Sequence, residues 1–355
     1  MTRSDRPEAG EFSNEVWVLG EDRPCGEISS VTFELSAKAR ELSDALSSNT
    51  GERHRVTALL LIDSNKTNKS NRSKPQDAGY YGADRVLAAK AENLPFDRAA
   101  CARILAHLAQ ESRPKIIIAS ATAFGRSVMP YAAALLGTGL TADCTGLSIE
   151  PGTNLLLQTR PAIGGNIMAT IKTPNHMPQM ATARPGTFSI PAPNPEKTAE
   201  VLYPDLPDGL FSAGVSTIKF DKFTRDERTL QDRNVIVSGG RGLRRAEGFE
   251  LISALASLLD AGVGASRPVV EMKWIGYPHQ VGLSGQVVSP KVYIAAGISG
   301  TVQHIAGMQT AGKIISINRD PEAQIFNVSD VAICGDLYEI IPKLIERIKA
   351  KRGRK

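Results

Sequence analysis

Twice along the chain, short apolar runs of strand length alternate with longer segments whose apolar positions recur every three or four residues. In the first half, residues 16–19 read as a strand, and residues 32–46 as an amphipathic helix with Leu35, Ala39, Leu42 and Leu46 on one face. Strand and helix patterns continue over 58–62, 83–90, 97–110, 116–119 and 127–136, interrupted by an Asn/Lys/Ser-rich loop insertion at 63–76. Such alternation predicts a parallel sheet flanked by helices. From Thr145 to Ala183 the chain is Thr-rich and β-prone, broken by Gly164, Gly165, Pro174 and Pro178, which predicts extra strands on the same domain.

Pro185, Pro191, Pro193, Pro195, Pro204 and Pro207 follow at a density that locks φ and removes N–H donors, so this stretch reads as a linker without regular structure. A second unit of the same kind follows. A strand over 234–238, a Gly turn at 239–242 and a helix over 244–259 come first, with Gly262 at the expected C-cap. Strands over 292–296, 314–318 and 331–334, a helix-prone run at 301–308 and a closing helix over 337–348 complete it. The expected organisation is α/β: two doubly wound parallel-sheet domains, with 1–13 a disordered extension, 14–190 the first domain, 191–228 the linker region, 229–350 the second domain and 351–355 a basic tail.

Composition changes this picture little. The 355 residues, 42% hydrophobic and 22% charged, are those of a globular protein, and no apolar run reaches the ~18 to 20 residues of a membrane helix. A formal net charge of +5, spread over the whole length, is too dilute for a nucleic-acid surface. Cys25, Cys101, Cys144 and Cys334 lie far apart with no C-x-x-C pair, which argues against a disulfide framework and for a reducing compartment, the cytoplasm. Cys144 reads as a small buried thiol, not a nucleophile.

The candidate chemistry lies in the second half. Gly239-Gly240-Arg241-Gly242 and Gly297-Ile298-Ser299-Gly300 each follow a strand, where a doubly wound sheet binds its ligands and where backbone N–H groups are free for phosphate. Ser266 and Arg267 follow a short apolar step. Gln280, Val281, Gly282, Leu283 and Ser284 form a second polar and glycine segment, Thr301, Val302, Gln303 and His304 continue the Gly300 turn, and Asn318, Asp336 and Leu337 stand at or just past strand ends. Phosphate donors, a carboxylate for hydroxyls and a cation near a ring together describe a dinucleotide site. An NAD-linked dehydrogenase would use a similar domain, but no G-x-G-x-x-G loop with its acidic partner is present. A nucleotide-sensing module would need the Gly turns without Arg267 and His304.

The second half also resembles the FAD-binding domain of the electron-transfer flavoprotein α subunit. The matching blocks are Ser238-Gly239-Gly240-Arg241-Gly242-Leu243, Val263-Gly264-Ala265-Ser266-Arg267, Gln280-Val281-Gly282, Gly297-Ile298-Ser299-Gly300, Gln303-His304-Ile305-Ala306-Gly307-Met308, Ile317-Asn318-Arg319-Asp320-Pro321-Glu322-Ala323 and Gly335-Asp336-Leu337. Gly137-Thr138-Gly139-Leu140-Thr141-Ala142-Asp143-Cys144 and Gln158-Thr159-Arg160-Pro161-Ala162 extend the resemblance into the first half. It implies a Rossmann-like domain holding FAD, a β-subunit partner contacted by the first domain, and electrons relayed between flavin dehydrogenases of the acyl-CoA dehydrogenase type, as in fatty acid β-oxidation, and an acceptor such as a quinone reductase. By position, Arg241, Ser266 and the 299–304 segment would hold the ADP and ribityl part or the ring, and Asn318 and Asp336 the adenosine end. Arg267 would lie by the isoalloxazine and His304 on its pyrimidine side. The family usually has Gln-Thr where this chain has Leu283-Ser284, so Ser284 keeps a hydroxyl and Leu283 loses an amide. The first-half blocks, with Leu283-Ser284, look more like the α subunits of anaerobes and nitrogen fixers. Some of those carry a second FAD in β and bifurcate electrons from NADH to ferredoxin or flavodoxin, which is the alternative function.

Overall fold

The computed structural model describes residues 12–22, 28–63, 74–91, 94, 97–162, 168–211 and 230–352. The N-terminal extension up to residue 11, Cys25, most of the loop insertion, Gly164 and Gly165, residues 212–229 of the linker region and the last three residues of the tail lie outside them. The chain divides into two compact units, Met1–Asp221 and Lys222–Lys355. Among the described residues no helix is long and apolar enough to cross a membrane.

Unit 1 runs β1 (Ser13–Leu19), α1 (Ser30–Thr50), β2 (Arg55–Asp63), β3 (Arg85–Ala91), α2 (Arg98–Ser112), β4 (Pro114–Ser120), α3 (Gly125–Leu136), β5 (Leu140–Cys144), β6 (Gly146–Ile149), β7 (Leu156–Pro161), β8 (Met168–Ile171), β9 (Gln179–Ala183) and β10 (Glu200–Leu202). Seven strands form one parallel sheet in the order β10-β3-β2-β1-β4-β9-β5. Strand alternation sends Val16 and Val18 to one face, against Leu35, Leu42 and Leu46 of α1, and Trp17 and Leu19 to the other, against Ile104 and Leu105 of α2 and Val128 of α3. Both faces are therefore covered, as the continuous apolar strands require. The extra strands expected after Thr145 are the antiparallel sheet β6-β7-β8, while β9 joins the main sheet. Cys144 is fully buried and its thiol is pushed up to about 12 by that burial, so it is inert.

The proline-rich stretch is less irregular than its composition suggests. Residues 200–202 lie between Pro195 and Pro204 with every N–H intact, and they pair with Arg85–Leu87 as the edge strand β10, a place that needs hydrogen bonds on one side only.

Unit 2 runs β11 (Val235–Gly239), α4 (Gly248–Leu258), β12 (Gly262–Ala265), α5 (Arg267–Glu271), β13 (Val292–Ala296), α6 (Val302–Ile305), β14 (Lys313–Asn318), β15 (Val331–Cys334) and α7 (Leu337–Arg352). Its five strands form a parallel sheet in the order β12-β11-β13-β14-β15. Val237, Ile294 and Ala296 pack under α4 and α7, whereas Ile236, Tyr293 and Ala295 face a second cluster with Val281, Met308 and Ile325. Two expectations fail here. The helix expected over 244–259 starts only at Gly248, because Arg244 takes φ +62 after the turn at Arg241–Leu243. Gly262 is not its C-cap: Leu259 is, Asp260 at φ +50 follows, and Gly262 opens β12 where a Cβ would lie 2.8 Å from Leu230 Cδ2.

Candidate functional site

From β11 the chain steps outward to β12, then returns to place β13 on the other side of β11. The strand order thus reverses between β11 and β13, and a crevice opens beyond their carboxyl ends. The two glycine turns cross there, with Gly240 N–H donating to Ala296 O and Gly242 N–H donating to Gly297 O, both at 2.9 Å. A Cβ on Gly242 would stand 2.6 Å from Gly297 Cα, so the crossing requires glycine on this side. Beside it lies a cleft of about 400 Å³, lined by Arg241, Ser266, Arg267, Val281–Ser284 and the segment from Gly297 to Thr301, with Gln303 and His304.

The lining has distinct polar parts. No acceptor among the described residues meets the backbone N–H groups of Ser299, Gly300 and Thr301, and Gly300 at φ +84 turns the chain there. Consecutive free amides of this kind form a nest for an anion. The helices next to it, α5 and α6, span five and four residues, so local N–H groups rather than a macrodipole supply the positive potential. Arg267 is largely exposed and bonds Glu271 at 2.7 Å, one helical turn on. Gln280 Nε2 donates to Ser284 Oγ at 3.0 Å, which occupies a lone pair of the hydroxyl and leaves its hydrogen free.

His304 is 4% exposed. Burial lowers it to about 4, outweighing the Val281 backbone carbonyl, so the ring is neutral at pH 7. Its Nε2 lies 3.0 Å from the Tyr293 hydroxyl, and its Nδ1 is buried and closes no hydrogen bond of normal geometry, the Val281 carbonyl being only a weak neighbour of the ring.

Most residues expected from sequence meet in this cleft, and five stand outside its lining. Gln280 is buried behind Ser284 and acts through it. Val302 points to solvent at 52% exposure, and Leu337 packs below Gly297. Asn318 donates to Ile298 O at 2.9 Å and accepts from Asp320 N–H. Asp336 caps α7 through Tyr338 N–H and pairs with Arg244 at 3.0 Å. Gly297 and Ile298 of the second glycine turn join the lining; sequence reasoning missed Pro268 and Glu271 there and Tyr293 behind it. Glu271 was readable as the i+4 partner of Arg267.

Two sequence profiles match the chain. That of the electron transfer flavoprotein domain covers residues 16–208, and that of the electron transfer flavoprotein FAD-binding domain covers residues 229–309. The electron transfer flavoprotein subunit alpha of Thermoanaerobacterium thermosaccharolyticum is 40% identical over 336 residues, which are 94% of this chain and 98% of the relative. The chain belongs to the electron transfer flavoprotein α-subunit family. Protein FixB of Azotobacter vinelandii is 37% identical, covering 95% of this chain and 92% of its own. The lactate dehydrogenase (NAD(+),ferredoxin) subunit LctC of Acetobacterium woodii is 39% identical, covering 93% of this chain and 76% of its own.

As an electron transfer flavoprotein α subunit, the chain binds FAD and works with a β subunit as a heterodimer. The cleft fits that cofactor. Its free N–H nest suits the pyrophosphate, the unpartnered buried Nδ1 of His304 suits a polar ring atom, and Ser284 offers a hydroxyl whose hydrogen is unclaimed.

Proposed function

We propose that this chain, joined to its β subunit in the cytoplasm, holds FAD in the switch-point cleft of unit 2 and relays electrons from a flavin dehydrogenase of the acyl-CoA dehydrogenase type to a downstream acceptor such as a quinone reductase. The observation that carries this reading is the convergence of Arg267, Ser284 and His304 with the amide nest on one cleft. Bound FAD supplies the redox chemistry by accepting and releasing electrons. Arg241, Ser266 and the 299–301 amides bind the phosphates, Ser284 and His304 donate hydrogen bonds to the ring, and Arg267 favours its reduced, negatively charged form. Asn318 and Asp336, at the ends of the neighbouring strand β14 and after β15, hold the adenosine end through the loops they brace.

Arg267 and Glu271 make the electrostatic part testable in two directions. Arg267→Ala removes the cation and is expected to lower the flavin potential, whereas Glu271→Gln removes the carboxylate that screens it and is expected to raise it. Each change should be on the order of tens of millivolts, because both side chains are partly solvated. Redox titration of the heterodimers checks this, and shifts of the same sign in the two variants would refute the assignment.

A second reading is supported by the name of the Acetobacterium woodii relative, which pairs NAD(+) with ferredoxin. On that reading the heterodimer is reduced by NADH, holds a second FAD in β, and splits electrons between a high-potential path through the α site and ferredoxin or flavodoxin. Flavin content and NADH reactivity separate the two. A simple carrier shows one FAD with a mononucleotide and no reaction with NADH; a bifurcating one shows two FADs and reduction by NADH.

A further inference from the structure

Tyr293 lies on β13 with 0% exposure, in the apolar cluster that supports the cleft from below. Burial pushes its phenol far above the ordinary value, so the hydroxyl keeps its proton throughout the working pH range. The oxygen is 3.0 Å from His304 Nε2. The Ser238 hydroxyl, also fully buried, lies towards the phenol as a second, weaker polar neighbour that makes no hydrogen bond of normal length. Nε2 is therefore the better placed acceptor for the phenolic proton.

A neutral imidazole has one N–H, and the partner of one nitrogen decides where that hydrogen sits. If Nε2 accepts from Tyr293, the hydrogen is on Nδ1, the atom left buried and unpaired on a residue that lines the cleft. The reverse tautomer would present a bare lone pair there and leave the phenolic proton only the more poorly placed Ser238 hydroxyl.

We propose that Tyr293 is a positioning residue that fixes His304 as the Nδ1–H tautomer, so that the cleft presents a neutral hydrogen-bond donor to an acceptor atom of the flavin ring. This rests on the assignment of the cleft as the FAD site. Tyr293 never touches the cofactor; it sets what His304 can offer to it. Because His304 neither accepts a bond from the ring nor carries a charge, it discriminates by hydrogen bonding alone, and Arg267 remains the permanent cation of the site.

The test is ¹⁵N NMR of histidine-labelled heterodimer, with the His304 resonances assigned by their loss in His304→Gln, in wild type and in Tyr293→Phe, each with and without FAD. Phenylalanine keeps the ring that fills the apolar cluster and removes only the hydroxyl. In wild type at pH 7 the Nδ1 resonance is expected in the protonated range and Nε2 in the unprotonated range. In Tyr293→Phe the two should move towards each other as the tautomers mix, with FAD binding weakened about fivefold, the value of one neutral hydrogen bond. A protonated Nε2 in wild type, or an unchanged tautomer in Tyr293→Phe, overturns the proposal. The wild-type spectrum decides even if the variant fails to fold. A fixed Nδ1–H tautomer whose resonance ignores added FAD would instead support the role of Tyr293 and count against the cleft as the flavin site.

Discussion

Gly300→Ala is expected to cost unit 2 about 2 to 5 kcal/mol and with it the ability to retain FAD. Gly300 has φ +84, a conformation in which an L side chain is strained. Its added Cβ would lie 2.3 Å from the backbone nitrogen of Ile325 and 2.6 Å from its Cα. Neither side can retreat. Ile325 is fully buried, and its N–H donates to Ser299 O at 3.1 Å, so a shift of Ile325 would pull on the same loop that carries the free amides. Against the ~5 to 15 kcal/mol that separates a folded domain from its unfolded chain, this loss is large. Thermal unfolding and the flavin content of the purified heterodimer measure it. Gly209→Ala, where a Cβ meets nothing within 4 Å, is the control and should change neither quantity. A Gly300→Ala protein that melts with wild type and keeps its FAD would show that the loop relaxes at no cost.

What the sequence made legible follows from where the physics is local. Strands buried on both faces read as continuous apolar runs, which is why β13 falls on the predicted residues, and why two doubly wound units could be expected. The misreadings concern places where a local rule had competitors. Gly262 follows a helix as a cap should, but the chain had already turned at Asp260, and the glycine answers to the packing of Leu230 and Arg233 instead. The short strand β10 hides among prolines because only its pairing with β3 defines it. In the site, the Gly turns and Arg267 were readable from strand ends, since a parallel sheet collects those ends along one edge. The use of each polar group was not. Asn318 and Asp336 spend their hydrogen bonds on bracing loops and a helix end, and Gln280 reaches Ser284 only after the 280–286 segment folds back, with Gln286 N–H on Gln280 O. Tyr293 looked like one more strand residue, because only the register of β13 beneath α6 brings its hydroxyl to His304.

Acidification is expected to act on the two units in opposite directions. In unit 2, His304 is driven from 6.5 down to about 4 by burial. Between those values the unfolded chain binds a proton that the folded unit refuses, so the stability contributed by neutral His304 is whole above pH 6.5 and lost as the pH falls towards 4. In unit 1, Glu21 follows β1 at the strand-order reversal and accepts from Thr122 Oγ1 at 2.5 Å. Burial raises it from 4.5 to about 7, against the opposing pull of Thr122 and then Arg98. Here the folded unit holds a proton that the unfolded chain releases, so the contribution is whole below pH 4.5 and lost as the pH rises through about 7. Each displacement is worth at most about 3 kcal/mol. Between pH 6.5 and 4.5, then, unit 1 should gain protection while unit 2 loses it. Hydrogen exchange followed separately in β1–β4 and in β11–β14 reads the two slopes, with rates corrected for the intrinsic effect of pH. Glu21→Gln should flatten the first and His304→Gln the second, each without touching the other. Slopes of the same sign in both units, or slopes that survive these substitutions, would show that other groups govern the acid response.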